Sequence, residues 1–243
     1  MAALSCPWLL ITFTFFMNVA IIAAAGRGTR MAANRPKQFL ELAGIPIIFH
    51  TLKPFERCDS IQEIIVVLQA EESAGFLSLA GRAGLGSLMR VVPGGETRAE
   101  SVSRALSTIQ PATAEIVAVH DGVRPFVTPD EITRTVEAAK IAGGALLVAP
   151  MTDTVKEVSG SEVVRTLDRT VLRRALTPQC FRYDLLRRAY EGADLHDPAL
   201  TDDSFLVEQI GIKVTAIEGS SRNIKITRME DLVVAKALLQ EWS

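Results

Sequence analysis

Residues 17–31 read MNVAIIAAAGRGTRM, and Pro36-Lys37-Gln38 follows shortly after. The apolar run from Val19 to Ala24 has the length and the β-branched content of a buried strand. It ends in Ala23-Ala24-Ala25, so almost no side-chain bulk stands where the chain turns. Gly26 and Gly28 are free to take positive φ there and let backbone N–H groups approach a phosphate. Arg27, Arg30 and Lys37 bring three cations toward the same place. Close amides with fixed cations are what a triphosphate requires when charge develops at its α-phosphorus. A dinucleotide-binding loop fits poorly, because Met31 stands where the third glycine belongs and such loops rely on a helix N-terminus for the pyrophosphate. A Walker A loop would need Gly-Lys-Ser/Thr, which is missing. The stretch therefore points to nucleotidyl transfer.

Outward from this loop, short apolar runs alternate with helical patterns. Strands are expected at Val19–Ala24, Ile61–Leu68, Met89–Val92, Ile116–Val119, Ala145–Val148 and Val214–Ile217, several apolar throughout as in parallel strands covered on both faces. Helices are expected from Pro46 toward Phe55 and from Thr97 toward Ile109. Thr128-Pro129-Asp130-Glu131 combines an N-cap, a first-turn proline and acids facing the helix dipole. Thr201-Asp202-Asp203 opens a helix that Gly211 ends, and Thr227 caps the last one. The alternation predicts an α/β, Rossmann-like fold: a mostly parallel twisted sheet flanked by helices, with binding residues at the carboxyl ends of strands. Thr154–Val158, Ser159-Gly160-Ser161 and Glu162–Thr166 break the alternation and read as a protruding β-hairpin arm, within about residues 150–180.

Composition narrows the partners. The chain has 243 residues, 48% apolar and 22% charged, enough for one large α/β domain over residues 17–243. A net charge of -2 argues against the broad basic surface of a nucleic-acid binder. Cys6, Cys58 and Cys180 are odd in number and lack metal-ligand spacing, which suits a reduced, cytoplasmic protein. Residues 1–16 carry no charge, yet Pro7, Thr12 and Thr14 interrupt the apolar run, so no membrane association is expected. They read as an N-terminal extension from an upstream start, ahead of a self-sufficient start at Met17.

Three further segments carry chemistry. Gly94-Gly95 leaves a strand before a helix bearing Arg98 and Ser101, an anion-friendly arrangement. His120-Asp121-Gly122-Val123-Arg124 places an acid, a glycine and an arginine at a strand end. Asp121 there either holds Mg²⁺ on phosphates or bonds ribose hydroxyls, while pairing with Arg124 across the turn is the simpler alternative. His120 is read as structural. Asn223-Ile224-Lys225-Ile226-Thr227 reads as a short strand with Lys225 turned away from the face its neighbours bury.

In order, AAAGRGTRM and PKQ, GGETRAES, HDGVRP, APMTDTVK, LDR, LTPQ, TDD and NIKIT resemble the 2-C-methyl-D-erythritol 4-phosphate cytidylyltransferases of non-mevalonate isoprenoid biosynthesis, from Met17 to the C-terminus. The resemblance implies a homodimer with interlocked arms and divalent-cation-dependent (Mg²⁺) transfer of CMP from CTP to a polyol phosphate. It implies that Arg30 and Lys37 stabilise the pentacoordinate transition state. It assigns Ala24, Ala25, Gly26, Arg27, Gly28, Gly95, Arg98, Ser101, Asp121, Gly122 and Arg124 to the nucleotide. Thr154 and Arg169, from the partner's arm, and Lys225 would hold the attacking phosphate. Ribitol-5-phosphate cytidylyltransferases are similar in Gly-Thr-Arg-Met, Pro-Lys-Gln-Phe and Val-Arg-Pro-Phe, but typically carry Ala-Gly-Gly in place of Ala24-Ala25-Gly26. Leu167-Asp168-Arg169 also favours the methylerythritol type. A catalytically silent nucleotide-binding protein of the same fold is the alternative from another class.

Overall fold

The computed structural model describes residues 16–26, 35–86 and 89–241. The expectations for residues 1–15 and for Arg27, Gly28 and Arg30 lie outside these described residues. In chain order the elements begin with β1 (Met17–Ala23), the short pair β2 (Glu41–Leu42) and β3 (Ile45–Pro46), α1 (Ile47–Glu56) and β4 (Glu63–Leu68). Next come α2 (Ser73–Arg82), β5 (Met89–Pro93), α3 (Arg98–Ser107), β6 (Ala114–Asp121), α4 (Pro129–Ala142) and β7 (Gly144–Pro150). The hairpin β8 (Lys156–Ser159) and β9 (Glu162–Thr166) precedes β10 (Arg173–Arg182), α5 (Tyr183–Glu191), α6 (Asp203–Gln209), β11 (Thr215–Glu218) and α7 (Met229–Gln240).

Seven strands form the main sheet in the order β11-β7-β10-β6-β1-β4-β5. All neighbouring pairs are parallel except those of β10, which runs against both β6 and β7. From β1 the chain steps to β4 and β5 on one side, then returns to β6 on the other. That reversal opens a crevice at the carboxyl ends of β1 and β6, the usual ligand site of an open α/β sheet.

The period of two along β1 explains the layers. Ala20 and Ile22 join the cluster formed with Phe55 of α1, Phe76 of α2 and Val136 of α4. Val19 and Ile21 face the opposite cluster, with Val102 of α3, Leu186 of α5 and Val207 of α6. A third cluster joins Leu42, Val123, Phe126, Ile226 and Leu232, and packs α7 against the turn after β6.

The six strands expected to alternate with helices all form, within a residue or two of their expected ends. Thr97 caps α3 through the Glu100 N–H, and Thr128 with Glu131 makes a reciprocal capping box on α4. Gly211 stands just beyond α6 at φ +81, as its stop requires. Elsewhere the structure differs from expectation. Residues 223–227 pair with no strand; among their ties to the fold are the Ile226 N–H donated to the Val123 carbonyl and the Asn223 amide donated to the Thr177 carbonyl. Thr227 does not cap α7: the Asp231 carboxylate accepts the Thr227 and Arg228 N–H groups, and the Thr227 hydroxyl turns back to the Lys225 carbonyl. Gly26 has no positive φ. β10 went unread because Arg173, Arg174 and Pro178 disguise a strand that the sheet buries from Leu176 to Phe181.

Candidate active site

Three turns meet above the crevice, and their packing explains the small residues. The Ala24 N–H donates to the Val67 carbonyl, Gly94 N–H to Leu68, and Gly122 N–H to Ala23, so each turn is tied to its neighbour. A Cβ on Gly94 would stand 2.2 Å from the Ala25 Cβ, and one on Gly122 would stand 2.6 Å from the Ala24 Cβ. Among the described residues, by contrast, nothing stands within 4 Å of where a Gly26 Cβ would be. Alanine meets glycine at both contacts, so the backbones close without side chains filling the cleft. The Gln38 amide donates to the Ala24 carbonyl at 2.6 Å, and the Gln69 amide donates to the Ala25 carbonyl.

The cleft of about 160 Å³ is lined by Ala24–Gly26, Lys37, Gly95, Arg98, Ser101, Asp121 and Lys225, among others. It adjoins an open groove of about 540 Å³ along Ala25, Gly26, Gly95 and Glu96. Together these lie within the roughly 300–1,000 Å³ of small-molecule sites. Ser101 shapes the second turn, donating to the Thr97 carbonyl at 2.9 Å and accepting the Gly95 N–H at 3.0 Å.

Asp121 is the electrostatic centre. Its Oδ1 meets Arg98 Nε at 3.2 Å, and its Oδ2 meets Arg124 Nε at 3.1 Å and Lys225 Nζ at 3.0 Å. The Arg124 pairing across the turn is therefore real, but it is one of three. Burial alone pushes the Asp121 carboxyl up; Arg98, Lys225 and Arg124 outweigh it and hold it well below the usual carboxylate range. The cluster carries a positive excess on a cleft wall, suited to an anionic ligand. Arg98 reaches further, placing Nη2 2.7 Å from Asp203 Oδ2, while the Tyr190 hydroxyl donates to the other Asp203 oxygen at 2.5 Å. Burial opposes the Arg98 charge, but Asp203 and Asp121 more than restore it. Asp202, not Asp203, caps α6 through the Phe205 N–H. Asp203 was read as part of that cap, and its buried ion pair has no sequence signal beyond an acid at a helix start.

Among the described residues, no group of three or more His, Cys, Asp or Glu is placed to hold a metal ion. Mg²⁺ commonly takes only one or two carboxylates and fills its remaining positions with substrate phosphates and water; both oxygens of Asp121 already meet cations, so Mg²⁺ there would have to displace Lys225 or an arginine. Thr154 and Arg169 lie elsewhere. Both are exposed, neither lines the cleft of its own chain, and Arg169 donates to the Thr152 carbonyl. The structure thus gathers Ala24, Ala25, Gly26, Lys37, Gly95, Arg98, Ser101, Asp121, Arg124 and Lys225 and leaves the two arm residues apart. Gly122 forms the turn beneath them. Sequence reasoning passed over Gln38, whose buried amide was legible only as the last letter of Pro-Lys-Gln.

Known proteins resemble this chain in sequence and in fold. The family model for 2-C-methyl-D-erythritol 4-phosphate cytidylyltransferase matches residues 18–241. The enzyme of that name from Acidobacterium capsulatum is 41% identical over 92% of this chain and 97% of its own length. That from Pelotomaculum thermopropionicum is 43% identical over 91% of this chain and 93% of its own. The crystal structure of 4-diphosphocytidyl-2C-methyl-D-erythritol synthase from Anaerococcus prevotii superposes with a TM-score of 0.82 at 32% identity, covering 93% of this chain and 96% of that one. On these matches and this site, the chain belongs to the 2-C-methyl-D-erythritol 4-phosphate cytidylyltransferase family.

Proposed function

We propose that this chain transfers the cytidylyl group of CTP to 2-C-methyl-D-erythritol 4-phosphate, giving 4-diphosphocytidyl-2-C-methyl-D-erythritol and pyrophosphate. The observation that carries the reading is the convergence of Arg98, Arg124 and Lys225 on Asp121, beside the Ala24–Gly26 turn and Lys37, in a chain of this family. An oxygen of the acceptor phosphate attacks the α-phosphorus of CTP. A new P–O bond forms, the bond from the α-phosphorus to the bridging oxygen breaks, and pyrophosphate leaves with that electron pair. The nucleophile is already an anion, so positioning and charge stabilisation do the work.

In this reading residues Ala24–Gly28 and Gly95–Ser101 receive the cytidine, and Arg98, Asp121, Gly122 and Arg124 orient ribose and triphosphate. Arg27 approaches the phosphates, and Arg30 and Lys37 meet the charge that develops on the pentacoordinate phosphorus. Mg²⁺, held by the triphosphate and Asp121, would neutralise phosphate charge. Lys225 holds the acceptor phosphate, joined by Thr154 and Arg169 of a second copy in a homodimer. Residues 17–243 act as one domain. Two buried, unpaired cysteines, Cys58 and Cys180, support a reducing cytoplasmic compartment.

Purified protein with CTP and Mg²⁺ is expected to release pyrophosphate when methylerythritol phosphate is added. Release with ribitol 5-phosphate alone would reassign the acceptor, and CTP binding without release for either would leave a silent nucleotide-binding protein.

A further inference from the structure

Behind the three cations lies a buried hydrogen-bond hub. His120 is fully buried on β6, with Nδ1 2.9 Å from the Thr177 hydroxyl and Nε2 3.1 Å from the Arg124 carbonyl. A carbonyl can only accept, so Nε2 carries the proton and Nδ1 accepts from Thr177. The same hydroxyl accepts the Asp121 N–H at 3.2 Å. Thr177 also offers its carbonyl, at 2.8 Å, to the amide of the fully buried Asn223. The Asn223 backbone carbonyl accepts Arg124 Nη1 at 2.8 Å. Each direction in the chain is fixed by the next. The Thr177 hydroxyl must donate one way and accept the other, which serine reproduces and valine does not.

We propose that the Thr177 hydroxyl, acting through His120, is a positioning group for nucleotide binding: it sets where Asp121 and Arg124 stand without touching the ligand. This rests on the reading of Asp121 and Arg124 as nucleotide contacts. In a pocket held by opposed charges, a displacement of either residue weakens every contact the other makes.

The test compares steady-state kinetics of Thr177→Val, Thr177→Ser, Arg124→Ala and the Thr177→Val/Arg124→Ala double variant, at temperatures where each is folded. Thr177→Val is expected to raise KM for CTP about tenfold, as for loss of a buried hydrogen bond. Thr177→Ser restores the wild-type value. The double variant shows less than the product of the single effects, because both act through one residue. Should Thr177→Val fail to fold, His120→Phe removes the same link from the other end and carries the same expectation. A wild-type KM for CTP in Thr177→Val, or in its stand-in His120→Phe, overturns the inference even if the melting temperature falls. So does a serine variant no better than valine. If Arg124→Ala itself leaves KM for CTP unchanged, the underlying reading of the site fails and takes this inference with it.

Discussion

At the scale of single residues, charge placement decides what the cleft does. Lys37 lies on the lining, next to the turn that receives the nucleotide. Lys37→Ala is expected to lower kcat by roughly 10²–10³-fold, since a preorganised electrostatic contact contributes about 3–4 kcal/mol to the transition state. Wild-type turnover in a folded Lys37→Ala protein would remove it from the mechanism. His120 carries a different expectation. Its folded pKa, about 4, lies below the ordinary 6.5, because burial disfavours the charged ring. The unfolded chain therefore binds more protons between those values, and stability falls as pH drops from about 6.5 to 4. The loss approaches about 3 kcal/mol for this group. Urea unfolding at pH 7 and pH 4.5 should show a steeper loss for wild type than for His120→Phe; equal slopes would contradict the buried neutral ring. Asp121 and Arg124 were legible as an acid and a cation at a strand end. Asp203 and Thr177 were not, because nothing local distinguishes a buried partner from a helix cap or a strand residue.

At the scale of elements, the site is made by turns that touch. The sequence already showed strands with small residues at their ends, because parallel strands bury both faces and leave unbroken apolar runs. What it hid was which glycines matter and why. Gly26 was expected to bend the chain through positive φ, yet it has no positive φ, and no described residue stands within 4 Å of where its Cβ would be. Gly94 and Gly122 are constrained instead, pressed against Ala25 and Ala24. Gly94→Ala is expected to cost about 1–3 kcal/mol of stability, as overpacking commonly does, and to weaken CTP binding. Gly26→Ala should leave stability near wild type, and the reverse order in thermal melts would contradict this packing. β10 escaped notice for a related reason: only the assembled sheet reveals that a stretch opening with two arginines and containing Pro178 fills the gap between β6 and β7.

At the scale of the whole molecule, the hairpin arm stands apart from its own cleft. Val158, Val163 and Val164 expose about 57–61% of their surface on it, an apolar strip that suits burial against a second copy. If Arg169 serves the partner's site, Lys37→Ala and Arg169→Ala proteins are each impaired alone. Mixed dimers would then contain one intact site, and random mixing should restore about a quarter of wild-type activity. No gain on subunit exchange would place each arm with its own chain. Among the described residues no helix is long and apolar enough to cross a membrane. The central claim is cytidylyl transfer itself, and ³¹P spectroscopy of the protein with CTP, Mg²⁺ and 2-C-methyl-D-erythritol 4-phosphate tests it most directly. The account predicts a new diphosphate diester and free pyrophosphate growing in equal amounts at the expense of CTP. An unchanged CTP spectrum, or signals of free CMP in place of the diester, would contradict it.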